Sequence, residues 1–577
     1  MTSQNSIILA IDVGSSSVRC SPYYYSTKND EIDTTSVPDC SASIQRQGVE
    51  PITGNIRMND LFEAVDSAVD EVLSKLRARF ENREEKLAVT AVGFSTFAMN
   101  LIALDEIGNL ISVDQENLAT IGISYACNAP DVHTECQRLR QELGPDRLDK
   151  LYQATGAPLH SAYALPQILA LYNRENSPLN LHPNHRWQSI AGYCLSRWTN
   201  QVHLPMTYSE ASWTGLLNIR NCAYEESALE LLPSTCRASL PELTDFTDYI
   251  PAIPQFLDQN ETHINPYWIK FPELRNAKFF LGIGDGACAN VGSKCTTSSR
   301  IAVTIGTSAA VRMCLPHPGG PDSPPLPFSV PKNKGLFCYR IDRNHVLVGG
   351  ALTDGGSVVE WTRRFLNLET DESAFAHCLE ETRKLVEAEC QTGSREPNSH
   401  RELIMAPFLS GERSTGFRDG AAGAIFGLTR DTTPAHFLKS CLEGVSLRLK
   451  AIVDLMPLES ANGDNELPVM VASGKALEVN HLWRQMIADS CGLRVVLDAD
   501  TAEGTSRGVA RLVAMSLVAE NENAEKPDHT SLNFARHEER IDSFLTSQPR
   551  ATASSLYRNK SRLQNGFIDS IAPFFSL

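Results

Sequence analysis

Two stretches half a chain apart are built alike. "ILAIDVGSSSVRC" (residues 8–20) and "IAVTIGTSAAVRMC" (301–314) each run from apolar residues to a glycine, then hydroxyl side chains, then Val-Arg. Gly306 lies 292 positions beyond Gly14. That interval is too long for a solenoid repeat and suits a duplicated domain. A chain of 577 residues has room for two such domains, each with its own core.

A glycine followed by Ser or Thr at a strand end lets the backbone approach a ligand closely, with N–H groups and hydroxyls aimed at anionic oxygens. Asp12, two residues before Gly14, alternates onto the same strand face and can hold a magnesium ion through water. One such turn alone reads as a tight hairpin. Two in matching context, one with an acid, predict a pair of jaws on a polyphosphate. The chain has no GxxxxGK[ST] loop and no GxGxxG opening a helix. "DGACANVG" lacks the partners of a nucleophile triad.

The net charge of −17, with Lys and Arg scattered, predicts no nucleic-acid partner and no anionic membrane surface. Phosphorylated small ligands stay open, since phosphate sites use local backbone dipoles. The fifteen cysteines form no CxxC pair and are odd in number, so free thiols in a reducing compartment are expected, with no metal spacing. The beginning has no basic n-region, and no run of eighteen apolar residues occurs. A cytoplasmic protein is the expectation.

Strand and helix patterns alternate, which indicates an α/β class. Residues 7–13 read as a strand ended by Gly14, 26–58 as an irregular loop, 60–80 as an amphipathic helix and 87–95 as a strand. Residues 101–111 read as two strands about Gly108-Asn109, and 279–295 as a strand, a Gly-Asp-Gly turn and a small-residue helix. Further helices are expected over 435–456, 480–492 and 506–520. The domain boundary falls near residue 295, giving units of 1–294 and 295–520, with polar 521–577 as an appendage of weak periodicity.

"AIDVGSSSVR" and "VTIGTSAAVR" resemble the two phosphate motifs of the FGGY carbohydrate kinases, and "GIGDGACANVGS" resembles that family's catalytic segment. The likeness is closest to the gluconokinase-like branch. It is carried further by "FSTFAMNLIALDEIGNLI", "TGAPLHSAYALPQI", "SEASWTGLLNIR", "VGGALTDGGSVVEW", "PFLSGERSTGFRDGAAGAIFGLT" and "VASGKALEVNHLWRQMIADSCG". The resemblance implies two actin-like (ribonuclease H-like) domains with a nucleotide and sugar cleft between them. It implies ATP and Mg2+ as cofactors, a sugar or sugar acid as partner, and leaves a homodimer open.

Carried over residue by residue, it places Asp12, Gly14, Ser15, Ser16 and Arg19 in the first phosphate turn, with Asp12 near the metal. Gly306, Thr307 and Ser308 would bind ATP phosphates from the second domain. Gly350, Gly355 and Gly356 would line the nucleotide cleft, and Gly474, Lys475 and Asn480 would pack adenosine. Met99, Asn100 and His160 would face the sugar. Asp285 matches the general base, and the chemistry supports it independently: phosphoryl transfer needs positioning, charge neutralisation and one acceptor for the attacking hydroxyl's proton. The competing reading of Asp285 is a helix N-cap. Trp361 and Trp483 read as core, Glu412 with Arg413 as an internal ion pair, and Arg312 as a solvated charge.

The sequence departs from the family where a Trp-x-Asp-x-Arg segment is usual, carrying Tyr125, Cys127 and Ala129 instead. Asn100 stands where a histidine is frequent, Gln167 where a lysine is, and Thr207 where an Asp is. Losing a buried polar partner costs about 1–3 kcal/mol, so a changed substrate is expected. Gluconate is the leading candidate, a pentulose such as xylulose the second, and a catalytically silent sensor the alternative of another class.

Overall fold

The computed structural model describes residues 6–28, 31–46, 50, 55–81, 87–112, 120, 122–124, 127, 129–250, 266–320, 322–326, 335–392, 402–459, 468–498, 504–521 and 546–576. Two mixed sheets dominate it, and they share one connectivity. In the first, Ile7–Val13 is central, antiparallel to Ser17–Lys28 on one side and parallel to Val89–Thr96 on the other. Glu31–Ser36 extends the antiparallel side and Lys278–Gly284 the parallel side. In the second sheet Arg300–Ile305 is central, antiparallel to Ala309–Pro316 and parallel to Val469–Ser473. His345–Leu352 and Arg494–Leu497 extend it in the same two senses. The repeated sequence cadence is therefore a repeated hairpin at the centre of each α/β domain, the two-domain actin-like arrangement.

Ile7–Val13 is buried at every residue. A strand covered on both faces has no reason to alternate, which is why it reads as a continuous apolar run interrupted only by Asp12. One cover is the helix Met58–Phe80, which buries Leu61, Val65, Val69, Val72 and Leu76 at three- and four-residue spacing. The other is the helix Gly504–Asn521, whose Val509, Leu512 and Val513 cluster with Ile8, Ala10 and Ala91. A Cβ on Gly93 would lie 2.6 Å from Val513, so the glycine makes room for this helix. The same helix crosses the small-residue helix Asp285–Gly292 backbone to backbone: a Cβ on Gly508 would meet the Cys288 carbonyl oxygen at 1.8 Å. Although it lies within the expected 295–520 unit, it packs on the first domain's sheet because its apolar face fits there.

Three segments differ from the sequence reading. Residues 26–58 hold strands rather than an irregular loop. Ser17–Lys28 continues to its end, Glu31–Ser36 pairs with it, and Ala42–Gln45 pairs with it again. Edge strands need fewer apolar residues than central ones, so turn-forming composition masked them. In 101–111 the strand Leu101–Leu104 and the turn are present, with Gly108 at φ 89°, but the return is the single bridge Leu104↔Leu110.

The third difference is the C-terminal segment. Residues 522–545 lie outside the described residues. After them Thr546–Ser547 adds to the edge of the second sheet, and the helix Ala553–Ile571 packs into that domain. Its Lys560 ammonium is buried among Glu389 (2.7 Å), Glu402 (2.8 Å) and Glu443 (2.5 Å). The helix looked featureless because its buried face mixes Leu556, Tyr557 and Ile568 with Lys560, Ser561 and Gln564. All fifteen cysteines are free thiols. Among the described residues no helix is long and apolar enough to cross a membrane.

Candidate active site

Each central hairpin closes on its glycine turn. Val13 pairs with Val18, and the Gly14 N–H donates to the Ser17 carbonyl at 2.9 Å. Arg46 holds the Gly14 carbonyl from outside at 2.7 Å. In the second domain Ile305 pairs with Ala309, and the Gly306 N–H donates to the Ser308 carbonyl at 3.0 Å. This turn rests on the start of the helix Gly356–Phe365. The Gly355 and Ser357 N–H groups donate to the Thr307 carbonyl (2.8 and 3.1 Å), and Gly356 N–H donates to the Gly306 carbonyl (2.8 Å).

A Cβ on Gly355 or Gly356 would come within 2.6 or 2.5 Å of that turn's backbone, so both glycines serve the close approach. These contacts give both glycines a part in supporting the turn. Gly350 departs from its expected place: its missing side chain would point at Ile452, 2.7 Å away on the helix Pro434–Val453.

Both turns open onto one cavity of about 340 Å³ between the domains. Asp12, Gly14, Ser15, Ser16, Arg19, Met99 and Asp285 line it from the first domain, and Ser308, Arg312 and Arg413 from the second. Gly306 and Thr307 form the exposed tip beside Ser308.

Asp285 is the first residue of the helix Asp285–Gly292, whose N-cap is Gly284. It is therefore not the cap. Its carboxylate accepts the Gly286 N–H at 2.6 Å and faces Arg312. Burial raises its pKa, opposed by Arg312 and Arg413. Asp12 is buried with Arg19 at 3.7 Å. Burial pushes its carboxyl up to about 6; Arg19 opposes that and the nearby Asp285 charge adds to it. Buried Asp12 and half-buried Asp285, two carboxylates that repel each other in one crevice, fit a divalent cation, the hard-oxygen donor set that magnesium takes.

The loop and short helix before the strand Lys278–Gly284 hold its end in place. Thr207 donates its hydroxyl to the Gly282 carbonyl at 2.7 Å, and Gly284 N–H donates to the Ser209 hydroxyl at 3.1 Å. Trp213 lies flat enough against the strand that a Cβ on Gly284 would be 2.5 Å from its ring. Glu210, fully buried beside Gly282, has its carboxyl pushed up to about 7 by burial. "SEASWTG" was marked in the sequence as a family segment, but nothing in it signalled this bracing role.

Several expected sugar or nucleotide contacts are committed elsewhere. The Asn100 amide donates to the Thr96 hydroxyl (3.1 Å) and the Phe97 carbonyl, and its oxygen accepts the Ile190 N–H (3.1 Å). His160 is buried outside the cleft, 3.2 Å from Asp419 and edge-on to Phe417. Burial lowers its pKa to about 4, so it is neutral at pH 7. Gln167 is spent on Ser124 and Ser161. Cys127 and Ala129 bury into a small apolar cluster with Val132 and Ala170, and Tyr125 lies outside the described residues.

On the nucleotide side, Asn480 caps the helix His481–Cys491 by accepting the Trp483 N–H at 3.0 Å. Gly474, at φ 97°, lets its loop pass the Ile305 carbonyl. Lys475 is exposed, 3.7 Å from Glu478. Trp483 is core, as read. Glu412 does not pair with Arg413: its partners are Arg448 (3.0 Å) and Arg418 (3.2 Å). Arg413 instead reaches the cleft, as does Arg312. Neither neighbouring sequence marks a cleft cation, because the acid each faces lies far away in the chain.

Residues 7–255 match the N-terminal domain, and residues 301–517 the C-terminal domain, of the FGGY family of carbohydrate kinases. The chain is 24% identical over 508 residues to a gluconokinase of Bacillus licheniformis, covering 85% of this chain and 84% of the relative. Its fold is similar to the crystal structure of gluconate kinase from Lactobacillus acidophilus, with a TM-score of 0.74, 20% identity and 99% of both chains covered. A ligand-bound xylulose kinase from Lactobacillus acidophilus is similar at a TM-score of 0.73 and 20% identity, also covering 99% of both chains.

Proposed function

This chain belongs to the FGGY family of carbohydrate kinases, ATP-dependent phosphotransferases acting on sugar hydroxyls, and we propose that its acceptor is a sugar acid, with gluconate the first to test. The single observation behind the mechanism is that the first glycine turn, Ser308 of the second and Asp285 line one interdomain cavity. In this reading the turns of Gly14–Ser16 and Gly306–Ser308 hold the triphosphate by backbone N–H groups and hydroxyls. Asp12 holds Mg2+, which when bound neutralises phosphate charge. Asp285 accepts the proton of the attacking hydroxyl as that oxygen bonds to the γ-phosphorus; the bond to the β–γ bridging oxygen breaks and ADP leaves.

The catalytic demand is placement plus charge, and the structure supports both. Asp285 is fixed at a helix start by Ser209 and Trp213 through Gly284. Burial raises its pKa, which makes it a better proton acceptor than a solvated carboxylate. Arg312 keeps it in the ionised form that can accept. Domain closure would exclude water so that transfer outruns hydrolysis. Fifteen free thiols fit a reducing, cytoplasmic setting.

The test is coupled ADP release over a panel of sugar acids, polyols and pentuloses. Turnover with gluconate that exceeds every other acceptor supports the reading. Preference for xylulose moves the substrate to the pentulose class, and nucleotide binding without turnover on any acceptor would refute the kinase mechanism for this chain.

A further inference from the structure

Asp12, Asp285, Arg312 and Arg413 line one cavity. Arg19 stands 3.7 Å from Asp12, whereas Arg312 lies against Gly286, the residue after Asp285. The charges of Arg312 and Arg413 both act on Asp285. The two arginines therefore stand beside the carboxylate that the acceptor hydroxyl must reach.

Around Asp285 the cavity carries two cations against one carboxylate. Arg312 rises from the strand Ala309–Pro316 and lies over the start of the Asp285 helix, 3.2 Å from where a Cβ on Gly286 would be. Among the described residues no side chain hydrogen-bonds its guanidinium. Arg413 comes from the loop after Leu409, which is pinned by Ser414 to Ala351 in both directions (2.9 and 3.0 Å). Its guanidinium touches the Tyr163 hydroxyl, and its Nε is buried without a partner. Among the described residues the titratable groups that interact with the pair include Tyr163, Tyr339, Cys314 and His160, all held neutral by burial. Arg312 and Arg413 also repel each other. Two partly buried cations beside one anion leave a positive charge unanswered, which a ligand's second anion would offset.

Resting on the kinase reading above, we propose that Arg312 and Arg413 are the specificity-determining pair for the acceptor, binding its carboxylate while its hydroxyl faces Asp285. An arginine fork suits a planar carboxylate, and its Tyr163 contact aims it. A neutral sugar would leave the pair with Asp285 as its shared anion and lose the corresponding affinity. The γ-phosphate is the other anion within reach of such a pair, and the experiment separates the two sources.

The wild-type enzyme with a non-hydrolysable ATP analogue is titrated calorimetrically with gluconate and with gluconamide, its uncharged isostere. Gluconate binding at least tenfold tighter is expected, and equal binding overturns the assignment. Steady-state kinetics of Arg413→Gln and Arg312→Gln then read acceptor and ATP separately. A hydrogen bond to a charged group contributes about 1.5–3 kcal/mol, so the acceptor KM should rise about 10- to 150-fold with the KM for ATP nearly unchanged. A rise in the ATP KM with unaltered preference for gluconate over gluconamide assigns the pair to the γ-phosphate and overturns the proposal. If the wild type instead prefers a neutral pentulose, the sugar-acid reading itself fails. If it prefers gluconate and both variants keep that preference, only the arginine assignment fails.

Discussion

Replacing Gly284 with alanine tests whether the placement of Asp285 is as tight as the structure implies. The new methyl would lie 2.5 Å from the Trp213 ring, where carbon atoms prefer about 3.5–4.0 Å, so roughly 1 Å must be recovered. Trp213 is 3% exposed and has little room to retreat. The strand end therefore yields, and it carries the next residue, Asp285, with it. A displacement of about 1 Å at a reacting group costs about 10²-fold in rate, and overpacking costs about 1–3 kcal/mol of stability. Gly284→Ala should thus lower kcat about 100-fold while the KM for ATP changes little. Steady-state kinetics and urea unfolding measure both quantities. Trp213→Leu removes the obstructing ring, so the double variant should recover part of the loss, with a coupling energy of about 0.5–3 kcal/mol as for residues in contact. Wild-type kcat in Gly284→Ala, or strictly additive effects in the double variant, would show that Trp213 does not set the position of Asp285.

Glu210 carries a folded-state pKa of about 7 against an ordinary 4.5, so its contribution to stability is full below pH 4.5 and is lost as pH rises through 7. The shift corresponds to about 3 kcal/mol; Glu210→Gln should match the wild type at pH 4.5 and exceed its unfolding free energy by up to that amount at pH 8, and identical curves would contradict it. Lys560→Met removes the buried cation shared by buried Glu443 and half-buried Glu389 and Glu402, leaving Lys439 on two of them, and should cost about 3 kcal/mol at neutral pH, measured by thermal or urea unfolding of the full chain. No loss would mean that the C-terminal helix is an appendage after all. Asn480→Ala removes a helix cap and should cost about 1 kcal/mol with the KM for ATP within twofold; a large rise in that KM would restore Asn480 to the adenosine site.

What could be read from the sequence was whatever depends on local pattern. The two glycine turns, the strands feeding them, the helix Met58–Phe80 and the Asp285 segment each announce themselves within about twenty residues. What escaped depends on distant partners. Arg312 looks like a solvated charge, and Arg413 like the ion-pair partner of Glu412, until Asp285 is placed beside them. Asn100 and His160 look like ligands until Ile190 and Asp419 take up their polar atoms. Gly350 and Gly355 have one spelling and different reasons, one making room for Ile452 and the other for the second turn. The polar C-terminal helix hid because a buried Lys560 has no apolar signature.

Single-turnover transfer of labelled γ-phosphate from ATP to the best acceptor, in the wild type and in Asp285→Asn, tests the central claim most directly, with nucleotide affinity measured on the same samples. Positioned general-base catalysis contributes about 10²–10⁴-fold, so the transfer rate should fall by that factor while ATP binds as before. A variant that transfers phosphate at the wild-type rate would remove Asp285 from the chemistry.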